Sequence, residues 1–240
     1  MAGRRFERVG SEETTGVWFH PERLDAKRVS KLRPLDRPIF VCSLSDLFHE
    51  EVPDEFLDRV FAIMACCPDR TFQVLTKRPE RAQAYFLAVP EEEVGWLPGA
   101  RATWGVRDAI AALSLDHLVD PLSVDLPLPN VWLGVSIENA RYTWRADFLR
   151  EIPAAVRFVS AEPLLGSLFE IDYSRLCPEC DELLYMGHDP ECSGPVVRRA
   201  EPLDLTEIAW LIVGGESGPG ARVMTLAWVD DLIEAAREFG

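Results

Sequence analysis

Five short apolar runs in this chain each end abruptly in a polar cluster, and that repeated transition restricts the possible folds more than any other feature. Phe40-Val41 runs into Ser43, Ser45 and Asp46, and Phe72 to Leu75 runs into Thr76-Lys77-Arg78. Val131 to Val135 gives way to Ser136, Glu138 and Asn139. Arg157-Phe158-Val159 gives way to Ser160 and Glu162, and Leu211-Ile212-Val213 to Gly214-Gly215-Glu216-Ser217. Such runs, bounded by polar and turn residues, read as buried strands. In parallel α/β folds ligands gather at the carboxyl ends of the strands, so chemistry is expected where these runs stop.

Helical signals lie between the runs. Pro53 with Asp54, Glu55 and Asp58 marks a helix start, and Phe56, Leu57, Val60, Phe61, Ile63 and Met64 follow at helical spacing. Pro79 opens a second helix through about Phe86. Asn139 is placed to cap a third, with Trp144, Phe148 and Leu149 facing inward. Thr225 is placed to cap a fourth, with Trp228, Val229, Leu232, Ile233 and Ala236 on one stripe. Val17 to His20 reads as a further short strand, followed by a helix near Leu24 to Leu32. Right-handed crossovers leave an open α/β sheet or a barrel. About six parallel strands then fit a partial (βα) barrel better than a complete one, which needs about 250 residues.

Residues 1–240 read as a single α/β domain carrying two insertions. The first, 90–129, holds Glu91-Glu92-Glu93, Pro98-Gly99, a helix from Thr103 to Leu113 and a proline-rich return through Pro121, Pro127 and Pro129. The second, 171–206, carries a cysteine group. The 40 acidic and 25 basic residues give a formal charge of −15, which disfavours non-specific binding to nucleic acid or anionic lipid. Lys77-Arg78-Pro79-Glu80-Arg81 remains a local basic segment, or equally a solvated helix start. No stretch approaches the roughly 20 apolar residues that span a bilayer, so no membrane partner is expected. Met1-Ala2-Gly3-Arg4-Arg5 is not followed by the apolar run of a signal peptide, so a cytoplasmic location is expected. Cys42, Cys66 and Cys67 lie in apolar surroundings and read as inert thiols.

The second insertion reads differently. Cys177 and Cys180, followed by His188 and Cys192, make C-x2-C-x7-H-x3-C, with Gly187 and Pro190 to bend the chain. Three thiolates and an imidazole complete a tetrahedral zinc shell with no open position, which is the structural rather than the catalytic pattern. A short loop with little apolar content would take much of its order from that metal. Uncoordinated reduced cysteines, an iron–sulfur cluster on the three thiolates, and a disulfide are the alternatives.

The candidate pocket residues are Ser43, Asp46, Lys77, Arg78, Ser136, Glu138, Glu162 and Glu216. Carboxylates converging on one mouth suit a metal, a ribose, an amine or acid–base work, and Lys77 with Arg78 suits an anionic group. Gly214-Gly215 lets backbone approach a ligand closely. Each residue also has a structural reading: Asn139 as a cap, Glu216 as an acceptor for loop amides, Lys77 as a surface partner of Glu80. His20 and His49 are weaker candidates, His49 being equally a loop histidine satisfied by a carbonyl. Gly-Gly-Glu-Ser-Gly lacks the Lys-Ser/Thr element of a phosphate-binding loop.

Taken as a set, Ser43 to Glu50 (SLSDLFHE), Thr71 to Pro79 (TFQVLTKRP), Asn130 to Asn139 (NVWLGVSIEN), Arg157 to Gly166 (RFVSAEPLLG) and Val213 to Gly218 (VGGESG) resemble the phage gene-product-thirty-seven/sixty-eight family, as does His20 to Leu24. The resemblance covers most of the chain outside the insertions. It implies a radical S-adenosylmethionine (SAM)-like enzyme, in which three N-terminal cysteines hold a [4Fe–4S] cluster ahead of a partial barrel. The strand-top residues would then hold SAM and a small-molecule or macromolecular substrate. This sequence departs from that pattern, since no cysteine precedes Cys42, and the family's chain continues beyond the last helix. A late start or truncation at both ends is therefore expected. The competing expectation is a non-catalytic binding module whose structural zinc helps present a surface to a protein or nucleic acid. Carboxylate catalysis on a divalent metal is a third.

Overall fold

Each of the five apolar runs is a β-strand in the computed structural model, which describes residues 7–9, 17–19, 24, 38–90, 98–169 and 202–239. They are β3 (Ile39–Val41), β4 (Phe72–Thr76), β5 (Val131–Ser136), β6 (Val156–Ala161) and β7 (Trp210–Val213). They form one five-stranded parallel sheet in the order β3-β4-β5-β6-β7. Ile39 stands opposite Phe72 and Phe158 opposite Trp210. The order follows the chain without reversing, so the sheet has no topological switch point.

The expected sixth parallel strand is not part of this sheet. β2 (Val17–Phe19) pairs antiparallel with β1 (Glu7–Val9), Arg8 opposite Trp18. Only residues 10–16 join the two, and a parallel crossover needs about a dozen residues or more. The helix expected near Leu24 to Leu32 lies outside the described residues. Among the described residues, no helix is long and apolar enough to cross a membrane.

The chain divides into two compact units, one of residues 1–132 with 152–155, the other of residues 133–151 with 156–240. In the first, α1 (Asp54–Ala65) follows β3, and α2 (Pro79–Leu87) and α3 (Ala100–Ala112) follow β4. Pro53 opens α1 without a side-chain cap, and Pro79 is the first residue of α2, where its missing N–H costs nothing. Phe48, Phe61, Tyr85 and Phe86 make a buried aromatic cluster, with the Phe61 and Tyr85 rings stacked 5.7 Å apart. The segment set apart in the sequence as an insertion supplies α3, whose Ala102, Val106, Ala109 and Ile110 are buried.

Asp58, one of the acids that mark the helix start in the sequence, is buried on the core face of α1. Arg101 of α3 grips it with two hydrogen bonds, Nη1 to Oδ1 and Nη2 to Oδ2, both 3.0 Å. The Tyr85 hydroxyl of α2 donates to Oδ1 at 2.9 Å. Burial pushes the Asp58 carboxyl up while Arg101 opposes it, and the same burial with Asp58 alongside raises the Tyr85 phenol. A Cβ on Gly105 would overlap the carboxylate, so α3 reaches this distance only with glycine there. Asp54 extends the knot through ion pairs with Arg81 and, at 3.5 Å, Arg101.

In the second unit, α4 (Trp144–Glu151) joins β5 to β6 and α5 (Leu226–Phe239) follows β7. Asn139 does cap, but it caps a 3-10 turn over Ala140–Tyr142, its side chain accepting from the Arg141 amide at 3.1 Å. That turn resets the phase of α4, so the inward residues are Arg145, Ala146 and Leu149 rather than Trp144 and Phe148. On α5, Leu232 is buried, Trp228 and Val229 are half-buried, and Ile233 and Ala236 are exposed.

Removing Asp58 leaves Arg101 only its longer pair with Asp54 and leaves the buried Tyr85 hydroxyl without its acceptor. Asp58→Ala is expected to cost about 3–5 kcal/mol in chemical denaturation, while an exposed acid such as Glu55 changes stability by less than about 0.5 kcal/mol when replaced by Ala. Equal losses for the two would refute the role given to the knot.

Candidate functional site

The polar clusters stand at the C-terminal ends of their strands. In the first unit the acceptor at the end of β3 is Asp46. Its Oδ1 accepts from the Phe48 amide at 3.0 Å and the Thr76 hydroxyl at 2.8 Å. Its Oδ2 accepts from the Lys77 amide at 2.9 Å and from Arg78 Nη1 at 3.2 Å. The Arg78 amide in turn donates to Thr76 Oγ1 at 2.9 Å. Asp46 thus laces the turn after β3 to the end of β4, and Thr76, buried at the centre, is a member the sequence assignment left out. Ser43 lies exposed on that turn and makes no part of the lacing. Cys42 enters it at φ 58, and burial raises its thiol above the usual range. His49 sits in the loop, but Nδ1 accepts from the Glu51 amide at 3.2 Å where a carbonyl partner was expected.

In the second unit, Ser136 and Glu138 are buried rather than lining an open surface. Arg145 reaches back from α4 to donate to the Ser136 carbonyl at 2.6 Å and to Glu138 Oε2 at 3.2 Å. Its guanidinium lies 4.2 Å from the centre of the Tyr142 ring, so both the charge and the planar face are used. No acid–arginine pattern at helical spacing advertises this pair. Only an arginine in the first turn of α4, on what becomes the inner face, could have signalled it.

Glu162 stands between the ends of β6 and β7. Ser160 Oγ donates to its Oε2 at 3.2 Å. The Leu164 amide donates to the Gly214 carbonyl at 2.8 Å and the Gly214 amide to the Ala161 carbonyl at 3.2 Å, which fixes the turn holding Glu162. A Cβ on Gly214 would come within 2.5 Å of Glu162 Oε1, so the acid rests on bare backbone. Glu162 is itself exposed.

Glu216 is tied within its own loop. Arg222 donates Nε to Oε2 at 2.8 Å and Nη2 to Oε1 at 2.7 Å, and its amide donates to Oε2 at 2.8 Å. Gly218 and Gly220, both with positive φ, let the loop close. These bonds, the Arg222 side chain first, pull the Glu216 carboxyl down to about 2.

The charges therefore sort in pairs. Asp46, Glu138 and Glu216 are each matched by an arginine, Arg78, Arg145 and Arg222. Among the described residues Glu162 has no such partner. Three described cysteines do not gather: Cys42 follows β3, whereas Cys66 and Cys67 follow α1, where burial raises both thiols, Cys66 to about 11. No group of three His, Cys, Asp or Glu among the described residues is placed to hold a metal. The proposed zinc ligands Cys177, Cys180, His188 and Cys192, and also His20, lie outside the described residues.

Two measurements check these assignments. The Glu216 carboxyl is expected to titrate near 2 by carbon-detected NMR, and to return to the ordinary range in Arg222→Ala. Its folded value lies below its unfolded one, so the loop's stabilisation is complete above the ordinary carboxylate range and is lost as pH falls toward 2. An ordinary titration in the parent protein would contradict the clamp. Metal analysis is expected to find about one zinc per chain, lost when Cys177 and Cys180 are both changed to Ser. A zinc-free parent protein would remove the site.

No curated protein and no solved structure matches the chain. A family model does, over residues 1–240, and its description is protein of unknown function, DUF5131. The chain, with its strand-end polar clusters, belongs to that family.

Proposed function

We propose that this chain is a radical-SAM-like protein of the phage gene-product-thirty-seven/sixty-eight type that binds SAM over the C-terminal ends of β6 and β7. The observation that carries this reading is the exposed Glu162, set on Ser160 and Gly214 where two adjacent parallel strands end. That is where α/β folds bind small molecules. Gly214-Gly215 offers backbone at close range, and the buried Ser136–Glu138–Arg145 group supplies a rigid wall behind it. The ion-paired acids serve as supports in this reading.

The described residues do not fit a [4Fe–4S] cluster, because their three cysteines are separated and hold raised thiols. No reaction step is therefore assigned through one. Bound at a complete site, such a cluster would supply the electron for reductive cleavage of SAM. The chain's own residues would bind and orient the ligand.

Calorimetric titration with SAM tests the reading. A saturable heat at one site per chain is expected, in the range of about 1 μM to 1 mM. Absence of binding by both calorimetry and equilibrium dialysis would end it.

A further inference from the structure

Residues 98–129 carry a surface that the strand-end reading leaves unused. One side of α3 packs into the first unit through Ala102, Val106, Ala109 and Ile110. The other side, with the chain that follows, exposes three large apolar residues: Trp104 at 44%, Leu118 at 41% and Leu122 at 74%. A lone exposed leucine needs no explanation, but these three share one surface. The short turn Pro121–Ser123 packs on α3. Arg107 of α3 lies 5.6 Å from the centre of the Trp104 ring and donates to the Val124 carbonyl at 2.8 Å, just past that turn. Leu118 stands two residues before Asp120, which caps it.

The turn that presents Leu122 is firmly held. Asp120 Oδ1 accepts from the Leu122 amide at 3.0 Å, and the Asp120 carbonyl accepts from the Ser123 amide at 3.0 Å and the Ser123 hydroxyl at 2.7 Å. The Val124 amide donates to the Pro121 carbonyl at 3.1 Å. The backbone under the most exposed of the three apolar residues is thus ordered before any partner arrives, so docking has little there to immobilise. Trp104 is held in the same way against Arg107, and tryptophan and arginine are the residue types that dominate protein interfaces.

The charge of this surface has one sign. The segment contains two arginines, no lysine and four aspartates. Arg101 is turned onto the buried Asp58, and Arg107 is matched by Asp125 at 2.7 Å. The one histidine, His117, sits on the Ser114 carbonyl at 3.0 Å. Asp108, Asp116 and Asp120 are exposed and have no cationic partner among the described residues. A phosphate-bearing partner, nucleic acid or anionic membrane, is therefore repelled. A second copy would bring the same three acids and its own formal charge of −15.

We infer that the outer face of α3 and the turn after it dock a basic amphipathic segment of a partner protein. The apolar stripe of that segment covers Trp104, Leu118 and Leu122, and its lysines or arginines meet Asp108, Asp116 and Asp120. Apolar cover alone would accept many partners, and the ring of like charge restricts them to cationic ones. This docking does not depend on SAM binding.

The test uses the whole chain and a fluorescently labelled synthetic peptide of leucine and lysine, amphipathic at helical spacing and about five turns long. A second peptide keeps the leucines and carries glutamate in place of lysine. By fluorescence anisotropy the first is expected to saturate at one per chain, and the second to bind at least about 10-fold more weakly. Leu122→Ser removes the most exposed apolar contact. The double variant Asp116→Asn with Asp120→Asn removes two charges, and an asparagine at 120 keeps an acceptor for the Leu122 amide. Each is expected to weaken the lysine peptide by about 10-fold or more. A control double variant on α5, Asp230→Asn with Glu234→Gln, removes the same charge from exposed positions and is expected to stay within about twofold. Equal binding of the two peptides, or equal losses in the two double variants, means diffuse adhesion and refutes the inference. A dimer by light scattering that Leu122→Ser makes monomeric gives the face to a second copy and refutes it as well. Failure of the lysine peptide to bind overturns it outright.

Discussion

The buried contact between Asp58 and Arg101 fixes how the helices of the first unit meet. A carboxylate and a guanidinium can share an apolar interior only if each satisfies the other, and the two parallel hydrogen bonds at 3.0 Å do so. The tyrosine hydroxyl from α2 takes part of the remaining acceptor capacity, and Arg101 also lies 5.6 Å from the centre of that ring. One acid therefore ties α1, α2 and α3 together at a single point. Apolar packing of Phe48, Phe61 and Phe86 tolerates sliding, whereas a bidentate pair does not. The knot thus contributes position more than net stability.

The second unit applies the same device at the strand ends. Arg145 fastens Glu138 and the last carbonyl of β5, and Arg222 fastens Glu216 within its loop. Polar residues that look from the sequence like a set of reactive groups prove to be mostly paired supports. They are buried or clamped so that the strand ends keep their shape. The exception, Glu162, is meaningful only against that background, because a single uncompensated acid is distinctive where its neighbours are neutralised.

The strands and most helices were readable because their signals are local. Apolar runs ending in polar residues located β3 to β7, and Pro53 and Pro79 located α1 and α2 within a residue or two. What was not readable depends on partners far along the chain. Asp58 looks like any acid in a first helical turn until Arg101, 43 residues away, is seen against it. Arg145 looks like a surface residue until the 3-10 turn after Asn139 rotates α4 and carries it inward. The segment 90–129 read as an insertion, and although its helix was expected, the burial of Ala102, Val106, Ala109 and Ile110 on that helix was not. The strand at Val17 was visible as a strand, but its antiparallel pairing followed from the short connection to Glu7–Val9 rather than from its own composition.

Gly105 ties this arrangement to the family's sequence variation. The space its missing side chain leaves is filled by the Asp58 carboxylate, so the two positions are sterically joined although they sit on different helices. A relative that carries any side chain at the first position can keep α3 in place only by shortening or losing the acid at the second. With the acid gone, the arginine on α3 would keep only its longer pair with Asp54. The glycine and the acid, on different helices, are therefore bound to vary together or not at all. Any such covariation would come from packing and charge rather than from catalysis.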